Sequence, residues 1–301
     1  MVEAVAEPLV ERKLVEASER ITRTAPPEAE HRVVIEPESR WKIVDFGDLW
    51  RYRELLFFLA LRDVKVRYKQ TALGAAWAIL QPAMLMVIFT YFFHRMGKLG
   101  SGDMPYSLFA CAGLLPWLLY SQAVTQASNS VVGSERLISK IYFPRLLVPL
   151  ASVGAVVVDF FVGCLLLVFM MAWKGYPPSA QFPVALVALA ALLMHATAAG
   201  TLLAALNVRY RDFRYVVPFG IQLLMFATPT IYMELPSEHG KFFTLLLLNP
   251  LTSLIDAFRA GLLGDDIPWV GLCVGLASGV VAMVAAFAVF RKFEDTFADV
   301  I

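Results

Sequence analysis

The order of apolar and polar positions divides the chain into long apolar runs separated by short charged loops. A helix needs about 20 apolar residues to cross the roughly 30 Å hydrocarbon core of a bilayer. Six runs meet or approach that length, so the pattern predicts an all-α integral membrane protein with six transmembrane helices. The predicted spans are about 72–94, 106–132, 146–173, 181–207, 215–233 and 268–290.

Residues 46–70 precede the first span and have an apolar centre too short to cross a membrane. Charged residues recur on one face at helical spacing, and leucines recur on the other. This pattern predicts an amphipathic helix lying in the headgroup plane. The stretch RDVKVRYKQTALGAAWAILQP (62–82) leads from that helix into span one. Because a charge at mid-bilayer costs about 3 kcal/mol, we expect the membrane boundary between Gln70 and Gly74.

Lysine and arginine are distributed unevenly between the two sets of loops. Fourteen lie in 51–69, 133–145, 208–214 and the start of the C-terminal tail, against five near the membrane on the opposite side. Cytoplasmic loops carry the excess of positive charge. We therefore expect both termini to be cytoplasmic. The N-terminal tail, 1–45, is predicted to be mobile, and residues 294–301 form the C-terminus.

The segment between spans five and six is neither a span nor an ordinary loop. Asn249 and Pro250 form an N-cap and a first-turn proline, and apolar residues then recur with helical period. We expect two short re-entrant helices over 236–263, dipping part-way into the membrane from the outer face. Irregular backbone at that depth needs protein or a water-filled cavity around it.

The composition supports a membrane protein and excludes several other classes. The chain is 58% hydrophobic and 17% charged, with mean hydropathy +0.64, whereas soluble domains are about one quarter charged. Its three cysteines have no paired or metal-ligand spacing, so no disulfide framework and no metal site are expected. We expect no nucleic-acid partner, although the net charge of +1 by itself says nothing about partners, because only the distribution of charge does.

Two ionisable residues lie well inside predicted spans: Asp159 in span three and His195 in span four. An intramembrane carboxylate is a functional candidate by default. The pair would form a proton relay if the two side chains were close. Hydrogen bonding of each within the bundle is the structural alternative.

Aromatic residues are frequent in spans one and five. Aromatic faces can stack on sugar rings and let a polymer slide, but aromatic residues also form interfacial belts. Both interpretations stay open for the candidate pore-lining residues, which are Trp77, Phe89, Tyr91, Phe92, Phe219, Phe226 and Tyr232.

The loop GSERLISKIYFPR (133–145) follows span two and predicts a short amphipathic helix at about 134–142. Such a helix suits docking to a partner, although a plain basic loop would also set the topology. The chain has no GxxxxGK[ST] sequence. Any nucleotide energy must therefore come from a separate subunit.

Five motifs together resemble the membrane subunit of ABC-type polysaccharide exporters, a family of permeases for O-antigen, teichoic acid and capsular polysaccharide. The resemblance covers about 46–301. It is carried by RDVKVRYKQTALGAAWAILQP (62–82), LISKIYFPR (137–145), YRDFRYVVPFGIQ (210–222), NPLTSLIDAFR (249–259) and FRKFEDTFADVI (290–301).

The resemblance implies a homodimer with two ATPase subunits and a pore between the copies, lined by spans one and five. The substrate would be a polysaccharide on undecaprenyl diphosphate in the inner membrane. No cofactor would be bound by this chain, because ATP and Mg²⁺ would sit on the partner.

The resemblance also implies roles for particular segments. Residues 48–62 would be a gate helix at the lipid entry point, 134–142 a coupling helix in a groove of the ATPase, and 236–263 a cap on the channel. The coupling candidates are Glu135, Arg136, Leu137, Ile138 and Lys140. Candidates for the gate and the lipid diphosphate are Arg51, Arg62, Lys65, Arg67, Lys69, Leu73 and Gly74.

Three rival functions can be separated from this one. A related permease for a drug or lipid is disfavoured by the polysaccharide-type motifs. A membrane enzyme would need clustered carboxylates or a His/Asp pair at a membrane face. A proton-coupled carrier would use Asp159 and His195, and unchanged export in Asp159→Asn and His195→Ala would exclude it.

Overall fold

A computed structural model describes residues 46–69, 71, 73–74, 76–96, 105–228, 249–294 and 297 of the chain. The predicted N-terminal tail and the first part of the re-entrant segment, 229–248, lie outside the described residues. Those described are helical, with no strand among them. The helices are α1 (Phe46–Arg51), α2 (Arg53–Lys69), α3 (Ala76–Met96), α4 (Tyr106–Gly133), α5 (Glu135–Ile138), α6 (Leu147–Lys174), α7 (Phe182–Arg209), α8 (Phe213–Phe226), α9 (Pro250–Leu263) and α10 (Trp269–Glu294).

Four of these helices, α4, α6, α7 and α10, are long and apolar enough to cross a membrane. They lie where spans two, three, four and six are predicted. The helix α3 corresponds to span one and contains Pro82, but its described apolar part, Ala76–Phe92, is shorter. At 14 residues, α8 falls short of the roughly 20 that a full crossing requires. The described helices thus include four candidate spans, which is consistent with an integral membrane protein.

The centre of the bundle is the contact between α4 and α7, where small residues allow the two backbones to approach closely. A Cβ on Gly200 would lie only 2.6 Å from the Cβ of Ala127. A polar bond reinforces the same contact, since the Asn207 side chain donates to the carbonyl of Ser128 at 2.9 Å. The bundle therefore depends on shape and hydrogen bonding at this seam.

The helix α9 lies among α7, α10 and α4 and is buried along most of its length. The Asn249 side chain accepts a hydrogen bond from the Leu251 amide at 3.1 Å, and Pro250 occupies the first turn. The helix ends at Gly264, whose φ is +91°. Fourteen residues at about 1.5 Å each give a helix of about 21 Å, too short to cross the bilayer.

The segment predicted to lie flat at the membrane surface consists of two helices, α1 and α2, and the second packs along α6. A Cβ on Gly154 would lie 3.6 Å from that of Ala60, the Ser152 hydroxyl donates to Asp63 at 3.2 Å, and further along α2 the hydroxyl of Tyr68 donates to Asp159. The end of α2 therefore lies against the middle of α6. The orientation of α2 relative to the membrane plane stays a prediction.

The outward surface of α2 differs from the single charged face that its sequence predicts. Phe57, Phe58 and Val66 are exposed beside charged residues, whereas Leu59 is buried. The buried face packs against protein, so the outward face is left with a mixture of apolar and charged side chains.

A second core lies where the helices meet the basic loops, and we call it the loop-end cluster. It joins α2, the segment after α4, the start of α6, and the ends of α7 and α10. Its largest buried members are Leu59, Ile138, Phe143, Leu146, Leu147, Phe287, Phe290 and Phe297.

Candidate functional site

A charged network ties the end of α2 to the middle of two spans. The Arg67 guanidinium forms an ion pair with the Asp159 carboxylate on α6, and its other terminal nitrogen donates to Gln126 on α4. The neighbouring Tyr68 hydroxyl donates to the same carboxylate. One carboxylate thus holds two consecutive residues of α2, which fixes both the position and the rotation of that helix end.

This network lies well along α6. Asp159 is twelve residues into α6, about 18 Å from its first residue, and the end of α2 reaches it through Arg67 and Tyr68. The membrane boundary between Gln70 and Gly74 stays a prediction. Pairing with Asp159 offsets the cost of removing the Arg67 cation from water.

The environment of Arg67 is largely removed from solvent, with 24% of its side chain exposed, against 11% for Asp159. Burial lowers the pKa of the Arg67 guanidinium, while Tyr68 and Asp63 oppose the shift. Arginine is so strongly basic that it stays charged at neutral pH in spite of this lowering.

A cavity of about 210 Å³ opens beside the network, between α2, α3, α4 and α6. At about 30 Å³ per water it has room for about seven waters. Its lining combines an indole face with amide, hydroxyl and charged groups. Among the lining residues are Arg67, Tyr68, Thr71, Gly74, Trp77, Gln81, Gln122, Asp159 and Phe160.

The seven candidate residues for the gate and the lipid diphosphate divide into two groups. Arg67 and Gly74 line the cavity. The other basic candidates and Leu73 do not line it: Arg62 pairs with Asp63 at 2.9 Å, and Arg51, Lys65, Lys69 and Leu73 are exposed.

Gly74 lies in the turn between α2 and α3 with φ +50°. This left-handed conformation favours glycine, because any other L-residue crowds its Cβ against the backbone. The turn redirects the chain from the end of α2 into α3, which places Trp77 and Gln81 opposite Arg67 across the cavity.

The candidate pore-lining aromatics that the structure describes lie on two helices, α3 and α8, and most of them are exposed within a single copy. Trp77 lines the cavity and is 48% exposed. Tyr91 and Phe92 on α3 and Phe219 and Phe226 on α8 are also exposed, while Phe89 is half-buried. Tyr232 lies outside the described residues.

The candidate coupling segment contains a shorter helix than predicted. The helix α5 is a single turn followed by non-helical turns, in place of a helix over 134–142. The side chains of Glu135, Arg136 and Lys140 are exposed, whereas Ile138 is buried and Leu137 packs against the loop-end cluster. The two apolar candidates therefore anchor the segment.

The apolar residues that this segment exposes were missed by sequence reasoning. Ile141 is 56% exposed and Tyr142 is 83% exposed, next to the cation of Lys140. The only sequence signal is the apolar IYF triplet between a basic residue and Pro144. Its third member, Phe143, is buried, and periodicity alone does not separate it from the other two because the backbone there is not helical.

Asp159 and His195 have different partners. While Asp159 is held by α2, the Nδ1 of His195 lies 2.9 Å from the carbonyl of Ala191 and its Nε2 lies 3.2 Å from Ser278 on α10. Each side chain is thus engaged in helix packing. No cluster of metal-binding side chains occurs among the described residues.

The helix α9 carries a buried cation, Arg259, which is one of the five basic residues that the sequence places near the membrane on the outer side. Arg259 is 6% exposed. Its guanidinium carbon lies 3.7 Å from the ring centroid of Phe109, and it pairs with Asp256 at 3.1 Å. A cation over an aromatic face is attracted by the ring electrons, and this contact fastens α9 to α4.

The sequence of this helical bundle matches a known class of membrane protein. Residues 54–263 match the family model of the ABC-2 type transporter, which covers more than half of the chain. The chain therefore belongs to the ABC-2 type transporter family, whose members are membrane-spanning subunits of ABC transporters.

Particular relatives are similar over nearly their whole length. An O-antigen export system permease protein RfbA of Myxococcus xanthus is 29% identical over 257 residues, 84% of this chain and 97% of that protein. A permease of the same name from Klebsiella pneumoniae is 25% identical, covering 82% and 95%. The polysialic acid transport protein KpsM of Escherichia coli is 23% identical, covering 79% and 92%.

Proposed function

We propose that this chain is the permease subunit of an ATP-driven exporter that moves a lipid-linked polysaccharide, such as an O-antigen on undecaprenyl diphosphate, across the cytoplasmic membrane. Two copies would form the pore and bind two ATPase subunits, which carry the ATP and Mg²⁺. Both termini would be cytoplasmic. Hydrolysis belongs to the partner, and this chain is a transport subunit.

The observation that carries the proposal is the near-complete overlap with permeases named for polysaccharide export or transport. The family match covers residues 54–263, so it includes the charged segment before the first span and the segment after α4, which are the parts that would receive substrate and partner. A match confined to the apolar helices would support only a shared fold.

The cavity beside Arg67 supports the entry of an anionic lipid headgroup. Arginine presents paired donors that fit phosphate oxygens. In the structure Asp159 occupies those donors, and a diphosphate entering from the inner leaflet would compete for them. Gln81 and Gln122, joined at 3.1 Å, supply amides that a sugar hydroxyl can bind. We assign the headgroup to this cavity in preference to the exposed cations.

The exposed edge of the segment after α4 supports docking of the ATPase. Glu135, Arg136 and Lys140 offer charges, and Ile141 and Tyr142 offer apolar contact. Aromatic anchors surrounded by charges are typical of the centre of a protein interface. Binding there would push on the loop-end cluster, which contains Leu59 of α2.

The ion pair at Asp159 argues against the proton-coupled carrier. A proton relay would need the two side chains close together, whereas the Asp159 carboxylate is held by Arg67 and Tyr68 of α2. The partner of His195 lies on α10, so the two residues belong to separate contacts.

The first test is co-purification with the ATPase encoded beside this chain, followed by ATPase assays with and without a lipid-linked glycan. We expect a complex of two copies of each subunit whose ATPase activity is stimulated by glycan.

The double reversal Glu135→Lys/Arg136→Glu and the single change Tyr142→Ala should uncouple hydrolysis from export while membrane insertion is retained. A wild-type chain that purifies alone and recruits no ATPase would overturn the proposal.

A further inference from the structure

The end of α10 and the turn that leads into α6 bind each other, although the two segments are almost 150 residues apart in the chain. A side-chain oxygen of Glu294 accepts from the backbone amide of Arg145 at 2.9 Å, and the Arg145 guanidinium donates to the backbone carbonyl of Glu294. The Glu294 carbonyl belongs to the last turn of α10, where carbonyls have no partner within the helix. Arg145 lies two residues before Leu147, the first residue of α6, so Glu294 caps the turn that enters that helix.

A buried aromatic residue beyond α10 reinforces this contact. Phe297 is 1% exposed, and its ring lies 5.2 Å from that of Phe290 in an edge-to-face arrangement. Both belong to the loop-end cluster with Phe143, which directly follows the exposed Ile141 and Tyr142. Phe297 thus packs in the same cluster as Phe143, the residue next to the surface that would meet the partner.

We propose that this contact, the terminal clasp formed by Arg145, Glu294 and Phe297, holds the segment after α4 so that its displacement is transmitted to α2. Glu294 and Phe297 are positioning residues for coupling, and they act through the segment without touching substrate. The proposal rests on the function proposed above, since it assigns to the C-terminal segment the stiffness that coupling requires.

The clasp is tested with matched substitutions in the full chain, co-purified with its ATPase and reconstituted in vesicles. Glu294→Gln keeps an oxygen that accepts from the Arg145 amide, whereas Glu294→Ala removes it. Phe297→Leu keeps most of the buried volume, whereas Phe297→Ala removes it. Losing one cap costs about 1 kcal/mol, which lowers the ratio of the held segment to the released segment about fivefold. We expect the two alanine variants to export about fivefold less glycan per ATP hydrolysed, and the Gln and Leu variants to stay near wild type.

Two further readouts separate positioning from general stability. The alanine variants should keep wild-type membrane insertion and ATPase binding, and amide exchange over residues 139–146 should become faster. Glu294→Ala with a wild-type ratio of export to hydrolysis would overturn the clasp. If the wild-type chain binds no ATPase, the proposed function fails by itself, and unchanged amide exchange in Glu294→Ala would then refute the clasp independently.

Discussion

At the scale of single residues, the partly buried ion pair between Arg67 and Asp159 fixes the end of α2 against α6. A charge removed from water is costly, and breaking such a pair leaves the remaining charge unpaired. The hydroxyl of Tyr68 and the amide of Gln126 complete the hydrogen bonding. The carboxylate is therefore a structural determinant of the position of α2 as well as part of the cavity wall.

Removing one partner of this pair should destabilise the protein more than removing both. We expect Asp159→Ala to cost about 3 kcal/mol, because Arg67 would be left buried without its counter-ion. The double variant Arg67→Met/Asp159→Leu should lose clearly less. Thermal unfolding of the purified chain in detergent measures both.

The matched control for that experiment is the exposed pair of Arg62 and Asp63, whose arginine is 43% exposed. Arg62→Ala should cost at most about 1 kcal/mol, since water screens the pair. The stability lost by the double variant Arg67→Met/Asp159→Leu is compared with the losses of its two single variants, one at Arg67 and one at Asp159. A double loss equal to the sum of those single losses would show that the two charges do not interact.

At the scale of the elements, the seam between α4 and α7 sets the distance between the two most central helices. Between helices in lipid, close packing of small residues replaces the hydrophobic effect as the source of association. Gly200 and the buried alanines around it allow that approach. A side chain added at this seam must push the helices apart.

Two glycine-to-alanine changes should have opposite effects. In a helix, glycine costs up to about 1 kcal/mol relative to alanine. Gly154→Ala should gain part of that, because its new Cβ would meet Ala60 at an ordinary 3.6 Å. Gly200→Ala should lose stability by about 1 to 3 kcal/mol through overpacking against Ala127. Unfolding midpoints that rise for both variants would contradict the tight seam.

At the scale of the whole molecule, apolar side chains remain exposed on α3, α6, α8 and α10. A membrane protein can place such surfaces against lipid, a second copy or a transported polymer. We expect the faces of α3 and α8 to border the pore of a homodimer, and the face of α10 to meet lipid. In one copy the exposed fractions of Phe219 and Val281 are similar, 62% and 69%, so exposure alone does not separate these surroundings.

Cysteine labelling should distinguish a helix face that borders the pore from one that meets lipid. In a chain whose three cysteines have been replaced, Phe219→Cys should react with a charged, membrane-impermeant thiol reagent in the assembled exporter, because a pore holds water. Val281→Cys, the matched control, should stay unreactive, since lipid excludes the reagent. Equal labelling of both positions, or protection of Phe219→Cys in every state of the exporter, would exclude α8 from the pore wall.

The apolar pattern determined which long segments are helical, because a backbone in lipid must satisfy its hydrogen bonds internally. It also placed Asn249 and Pro250 at the start of α9, since capping is a local property of adjacent residues. The motifs were sufficient to indicate the family, which the comparison with the ABC-2 type transporter model confirmed.

The contacts between distant segments were decided only by the tertiary structure. Periodicity placed Arg67 on a surface helix and Asp159 inside a span, but it carried no information that the two side chains meet. For the same reason it could not show that Ile138 is buried while Ile141 is exposed, or that Glu294 caps the turn that enters α6. A periodic pattern specifies which face of an element avoids water, whereas the partner of that face depends on how separate helices pack in three dimensions.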